Sequence, residues 1–486
     1  METMDNVATN VSDHFPVKAR VKYIINAKEK LKCSNSNILP SGKTPWKKID
    51  KDAYKTLVEN GLDNFSSSLE NKYEVDIAFQ NMNSLLFNSA KSCCPAPRKR
   101  YRKPKLKVMN EDISGAIAMK KKAFYQWKIN GRSEDPRNEL YIQKKETTYN
   151  LRKHCRKAVA MNRIDEREKI MEANIKNKNS FYKLIKKQRG RLSNHIDELS
   201  VGDTVYSTEN DILSGWKHHF ENLTKNSIHE HFDNKYQQKV EQEYIDIIDI
   251  CRAMFQHQSI TESEIVEALK LLNLNKSPDI FGVSTENLLY GGQSLIYHLK
   301  ELLDSTFRLC YLPDEQKLGI VIPLFKNKGS CKDSKNYRGI TITPTLSKLI
   351  EAVLKIRINP DIIKYQNPLQ RGFTKRTAPL NCSFIIEEYH KECIELNDQT
   401  IITMLDAKSA FDAVKHAGLI RRLYQMKIPE QSILIIDNLY KNAVSCVKWN
   451  NQISDTFRIE QGVRQGGTLS ADLYKIYINT LLDIFS

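Results

Sequence analysis

No two cysteines in this sequence fall in a C-x-x-C spacing, although there are 10 of them and Cys93 and Cys94 are adjacent. That excludes the commonest zinc-ligand pattern and any obvious disulfide framework. The remaining expectation is reduced, buried thiols, as in a cytosolic or nuclear protein. Long apolar runs are missing too: none approaches the roughly 18 residues that span a bilayer. The opening residues, METMDN, lack the basic-then-apolar pattern of a secretion signal. The expected location is therefore nuclear or cytoplasmic, neither secreted nor membrane-bound. Glycine and proline are sparse, at 18 and 15 of 486 residues, which rules out collagen-like and low-complexity chains. With 40% hydrophobic and 27% charged residues, the composition fits a folded chain of roughly two to four domains.

Acidic residues are in deficit. There are 58 Asp and Glu against 75 Lys and Arg, giving a net charge of +17 and a pI near 9.2. Such a surface attracts polyanions, and nucleic acid is the usual one. The plainer alternative is a soluble basic protein without such a partner.

The chain divides by character. Residues 1–108 hold an irregular start, a helical stretch from about 51 to 92, and the run CCPAPRKRYRKPKLK at 93–107. Its prolines forbid a continuous helix. Arg98, Lys99, Arg100, Arg102 and Lys103 would bind phosphates or serve as a nuclear import signal, unless the run is simply a solvated linker. Residues 109–255 predict long basic helices, with apolar residues three and four apart and Arg and Lys between them. The interleaved aromatics, Phe124, Tyr125, Trp127, Phe181 and Tyr182, read better as core than as a stacking surface. Basic helix faces can still grip a nucleic-acid backbone without reading bases. His218, His219, His229 and His231 belong to no completed metal-ligand set and read as ordinary surface histidines. VGDTVYS at 201–207 predicts a short hairpin, followed by a helix ending in WKHHFENL. Thr261 and Glu264 form a T-x-x-E capping box, and residues 256–486 are expected to form the next domain.

Four clusters in that last region carry chemistry. LGIVIPLFKNKGSCKDSKNYRGITIT at 318–343 predicts two strands around a Lys/Gly-rich turn. Lys326 and Arg338 on such a hairpin could clamp a triphosphate, Arg338 through its planar fork. IITMLDAKSAFDAV at 401–414 predicts a strand ending at Asp406, then a helix capped by Asp412. A carboxylate at a strand tip is either a divalent-metal ligand or an ordinary loop residue. Phe411 either walls a sugar pocket or belongs to the core. IEQGVRQGGTLSADLYKIYINTLL at 459–482 predicts a glycine-rich loop entering an amphipathic helix, with Ser470 in its first turn. Its glycines let backbone approach a ligand, and the Gln465 amide can hydrogen-bond one. QRGFTKRTAPLNCSFII at 370–386 is a basic loop entering a helix, either a nucleic-acid backbone contact or a plain surface loop.

Taken in this order, the clusters resemble the reverse transcriptases of LINE-type (non-LTR) retrotransposons. The resemblance covers roughly residues 260–486 and extends weakly back to about 110. KLGIVIPLFKNKG and NYRGITITPTLSKLIEAVLKIRI look like the family's fingers, LDAKSAFDAV like its first catalytic motif, and GVRQGGTLSADLYKIYIN like its glycine loop. The resemblance implies an α+β fold: a partial right-hand polymerase, fingers and part of a palm, preceded by a mostly α-helical basic region. It implies Mg2+ on Asp406, helped by the Ala407 carbonyl, and Phe411 as a gate against the ribose 2′-hydroxyl. Lys326 and Arg338 would contact the incoming triphosphate, and Gln465 and Gly466 would line the nucleotide and template pocket. Arg371 and Lys375 would meet nucleic acid. The implied partners are an RNA template, a DNA primer and deoxynucleoside triphosphates.

The sequence also departs from that family. Its usual K-x-P-G-x-D-G stretch reads KSPDIFG at 276–282, with Asp279 and Phe281 in place of the glycine and aspartate. Thr468 and Ala471 stand where prolines are expected, and so does Gly339. These changes suggest relaxed constraint or an unusual lineage. No Asp-Asp pair occurs in residues 1–486, so the expectation is a chain that stops before the Y-x-D-D hairpin that completes the two-metal site and lacks the thumb and an upstream endonuclease. The expectation is a reverse transcriptase family chain inactive on its own. The alternative is a non-catalytic nucleic-acid-binding protein built on the basic helices.

Overall fold

Short polar residues open most of the helices, each by accepting a backbone N–H that the helix leaves unpaired. Asp50 accepts from Asp52 and Ala53, Asn71 from Glu74, Asn110 from Ile113 and Asn138 from Leu140 and Tyr141. Thr261 and Glu264 close the expected reciprocal capping box. The computed structural model describes residues 2–3, 17–18, 44–63, 65, 69–95, 108–188, 196–226, 233–407 and 409–484.

In chain order the elements begin with β1 (Glu2–Thr3), β2 (Val17–Lys18), α1 (Lys51–Leu62), α2 (Lys72–Ser92), α3 (Glu111–Ile129), α4 (Glu139–Lys176) and α5 (Lys178–Gln188). Next come β3 (Leu199–Val201), β4 (Thr204–Tyr206), α6 (Glu209–Thr224), α7 (Asn234–Met254), α8 (Glu262–Leu271), α9 (Thr285–Leu289) and α10 (Gly292–Leu309). The remainder is β5 (Leu318–Phe325), β6 (Tyr337–Ile342), α11 (Thr345–Tyr365), α12 (Pro379–Glu395), α13 (His416–Gln425), α14 (Glu430–Tyr440), β7 (Val444–Trp449), β8 (Gln452–Ile453), β9 (Phe457–Arg458) and α15 (Ser470–Asp483). This mixture of helix and sheet agrees with the expected α+β class.

Two units result. One comprises Met1–Asn35 and Pro97–Asn194, the other Ser36–Ala96 and His195–Ser486. In the first, α3 and α4 pack as a hairpin along a thin seam of Ile113, Ala116, Ala123 and Trp127 against Ala158.

The second unit joins α1 and α2 to the region 256–486, which differs from the sequence-based division at 108/109 and 255/256. The reason is burial. Tyr54, Val58, Phe79, Met82 and Leu86 share one core with residues of α7–α11 and α13–α15. Polar side chains pin the join: Trp46 Nε1 donates to Ser284 Oγ at 3.2 Å, the Tyr54 hydroxyl to Asn287 O at 3.0 Å, and Asn287 Nδ2 to Leu86 O at 3.0 Å. Ile247, Ile248 and Cys251 of α7 enter the same core, so the stretch before Thr261 is no boundary.

The sheet runs β6-β5-β7-β8, with β9 also on β7. β5 and β6 form the expected antiparallel hairpin, Phe325 opposite Tyr337 and Ile320 opposite Ile342. β7 lies parallel to β5. One sheet face is covered by the β3–β4 hairpin and α6, where Trp216 meets Tyr337 edge-on at 4.7 Å. Gly339 sits beneath Phe220, whose ring would be 2.6 Å from any added Cβ. Packing therefore gives a local reason for glycine there.

Two expected features of 401–414 are not formed. Residues 401–407 are an exposed, irregular segment that no described strand pairs with. Ile401 and Met404 are 88% and 90% exposed. A strand exists only with a neighbour to hydrogen-bond, and among the described residues no strand lies beside this one. Asp412 caps no helix: the amides of Asp412 and Ala413 both turn back onto Ser409 O, and α13 starts later, at His416.

Candidate functional site

The loop at 461–469 is held on three sides. On one, Gly462 N–H donates to Val414 O at 2.7 Å and Val463 N–H to Phe411 O at 2.8 Å. His416 Nε2 donates to Gly462 O at 2.9 Å, and burial holds that imidazole below its ordinary pKa. On the second side, Thr341 N–H of β6 donates to Gln465 O at 2.8 Å. Gly466, at φ +124°, passes so close that an added Cβ would lie 2.6 Å from Thr341 O. On the third side, the buried Glu351 carboxylate of α11 accepts the N–H groups of Thr468 and Leu469. This is the start of α15, where a negative charge is favoured. Arg464, also buried, donates to Lys317 O. Burial pulls its pKa down, and Tyr440 and Glu351 pull it back up.

α11 is itself anchored by Asp279. That buried carboxylate accepts from Phe281 and Val283 and from Thr345 at 2.6 Å, the first residue of α11. Burial raises its pKa, and the bonds from Thr345 and Val283 oppose the rise. One departure from the family pattern is therefore an integral part of the fold.

Asp412, Gln465, Thr341 and Ser445 border a cavity of about 40 Å³, room for a water or so and too small for a nucleotide. Burial pushes the Asp412 carboxyl up to about 6, with the Lys326 charge opposing. Burial likewise lowers His219 to about 4, and Lys326 adds to that shift. Lys326 thus lies close enough to act on both. His219 is largely buried, not the surface histidine expected, whereas His218 is exposed and bonds Asn222.

The expected residues divide as follows. Lys326 and Arg338 are both exposed on the β5–β6 hairpin, where Arg338 stands opposite Leu324 and Lys326 Nζ donates to Lys335 O at 2.7 Å. Phe411 stacks on Tyr474 of α15 at 5.1 Å and meets Phe373 edge-on at 5.9 Å. It therefore joins the glycine loop's helix to the loop that carries the exposed Arg371 and Lys375. Gln465 and Gly466 lie against β6, as above. Asp406 and Ala407 are exposed on the unpaired segment and do not line the 40 Å³ cavity. Arg98, Lys99, Arg100, Arg102, Lys103, His229 and His231 lie outside the described residues. Among the described residues no group of three His, Cys, Asp or Glu side chains is gathered as for a metal.

Sequence reasoning missed Glu351, Arg464, Asp412 and His416. Glu351 left one signal, a lone acid within the apolar run LSKLIEAVLKI. A larger cleft of about 500 Å³ lies between α7 and α13, bordered by Tyr236, Tyr244, Arg422 and Tyr477. No residue singled out above borders it except His416.

Residues 326–486 match the family model described as reverse transcriptase (RNA-dependent DNA polymerase). The chain is 22% identical over 476 residues to the probable RNA-directed DNA polymerase from transposon BS of Drosophila melanogaster, covering 96% of this chain and 49% of that protein. It is 24% identical over 227 residues to the RNA-directed DNA polymerase from mobile element jockey of the same organism, covering 46% and 24%. It is 26% identical over 223 residues to the transposon TX1 uncharacterized 149 kDa protein of Xenopus laevis, covering 46% and 17%. The chain spans about half the length, or less, of these curated relatives.

Proposed function

We propose that the chain carries a reverse transcriptase domain of the LINE type, in which the β5–β6 hairpin and the glycine loop form the nucleotide-facing surface of an RNA-directed DNA polymerase. The observation that supports it most is the hydrogen bond from Thr341 N–H to Gln465 O. It ties the loop to the strand that carries Arg338. In this reading Lys326 and Arg338 hold the triphosphate, Phe411 borders the sugar, and Gln465 and Gly466 abut the base and template. Arg371, Lys375 and the basic run at 98–103 meet the RNA template and DNA primer.

Reverse transcriptases use divalent metal ions. Asp406 and the Ala407 carbonyl would be the donors here, for Mg2+ in this reading. One exposed carboxylate and one carbonyl suit a single ion held through its water shell. Two-metal phosphoryl transfer needs both ions clamped about 4 Å apart, and these donors do not fit that demand. The polypeptide of residues 1–486 is therefore expected to bind nucleotide without extending a primer.

Two assays on the purified 486-residue protein test this. Photocrosslinking with an azido-deoxynucleoside triphosphate should label 326–338 or 462–467, and label confined elsewhere would refute the reading. Primer extension with Mg2+ and Mn2+ should give no product, and template-dependent synthesis would refute the expected inactivity.

A further inference from the structure

On α4, Arg152, Lys153, Arg156 and Lys157 are all exposed. They fall at spacings of three and four, so like charges stand side by side, an arrangement that destabilises an isolated helix. No acidic residue lies between Glu146 and Asp165. Neither of those two is three or four residues from any of the four cations.

Their direction is set by the seam. Leu151, Cys155 and Ala158 are the half-buried or buried positions of this stretch, and at about 100° per residue the four cations point the opposite way. Tyr149, 66% exposed, stands three and four residues before Arg152 and Lys153 and lies on the same face. We propose that this face, Tyr149 with Arg152, Lys153, Arg156 and Lys157, is a binding surface for single-stranded RNA. The cations meet backbone phosphates and the tyrosine ring stacks on an unpaired base. A lipid surface fits less well. Membrane-lying helices gather large apolar residues on one face beside their cations, whereas the nearby Val159 and Met161 point to different sides of α4.

The inference deepens the nucleic-acid reading above and rests on it. The test is fluorescence anisotropy of a labelled single-stranded RNA with the full 486-residue protein across a salt series. Replacing the four cations by Gln, which keeps helix propensity, should reduce the slope of log K against log salt by about three. A control replaces Lys235, Lys239, Lys270 and Lys441, which are exposed on the other unit, and should change the slope by less than one. Tyr149→Ala should weaken single-strand binding at least fivefold, leave the slope unchanged, and spare duplex binding. Far-UV circular dichroism verifies that each variant is folded. If the α4 and control variants lose slope equally, or neither does, the surface is overturned. So is it if anionic phosphatidylserine vesicles, and not RNA, lose binding. A parent protein that binds no RNA would sink both this surface and the reading beneath it.

Discussion

Asp412 shows what a single side chain can hide. From sequence it looked like a helix cap, because an aspartate precedes a helical pattern. The chain instead turns at Ser409, and Asp412 borders the cavity by the glycine loop. Burial raises its pKa from 3.8 to about 6, so the native protein holds this proton more tightly than the unfolded chain does. Stability therefore falls as pH rises through that window and stays lower above it. Asp412→Asn should raise the melting temperature at pH 7.5 by on the order of 2–4 °C, with no gain at pH 4. An equal gain at both pH values would show that ionisation is not the cause.

Glu351 is the opposite case, a buried acidic side chain that the fold uses. Its carboxylate accepts two backbone N–H groups of the glycine loop. Glu351→Ala leaves both unsatisfied and should cost on the order of 2–3 kcal/mol, read from urea denaturation. A loss under 1 kcal/mol would mean that water replaces the carboxylate. The long-range partners of Glu351 and Asp279, over 60 residues away in sequence, explain why neither role was legible.

Among elements, the local ones were readable and the paired ones only when close. The capping box of Thr261 and Glu264 announced α8, and the β5–β6 hairpin closes within one stretch of sequence, through residues 326–336. The glycine loop was legible from its composition. Gly466 should be irreplaceable there. Gly466→Ala places a Cβ against Thr341 O, so the Thr341 amide should lose its hydrogen-exchange protection while distant helices keep theirs. Retained protection would mean that the contact with β6 relaxes freely.

The 401–406 strand failed because an apolar run proposes a strand and only a partner makes one. Its exposed apolar residues are an aggregation hazard. Ile401→Lys with Met404→Lys should leave the melting temperature unchanged and raise the concentration at which the protein stays soluble. A lower melting temperature would show that the segment is packed in solution.

For the whole molecule, the join between α1–α2 and the helices and sheet of residues 256–486 matters most. It was invisible in sequence because Trp46 and Tyr54 meet Ser284 and Asn287 more than 230 residues away. A polypeptide of residues 256–486 alone would expose the surfaces that α1, α2 and α7 cover. It should show no cooperative unfolding transition and should bind a hydrophobic dye. A sharp transition in that fragment would make the N-terminal helices dispensable.

The most direct measurement is equilibrium binding of a fluorescent deoxynucleoside triphosphate, with Mg2+, to the full 486-residue protein and to its Arg338→Ala and Lys326→Ala variants. Saturable binding by the parent, weakened at least tenfold in Arg338→Ala, is the predicted result. No saturable binding by the parent, or equal affinity in all three proteins, would contradict a nucleotide-facing hairpin and glycine loop.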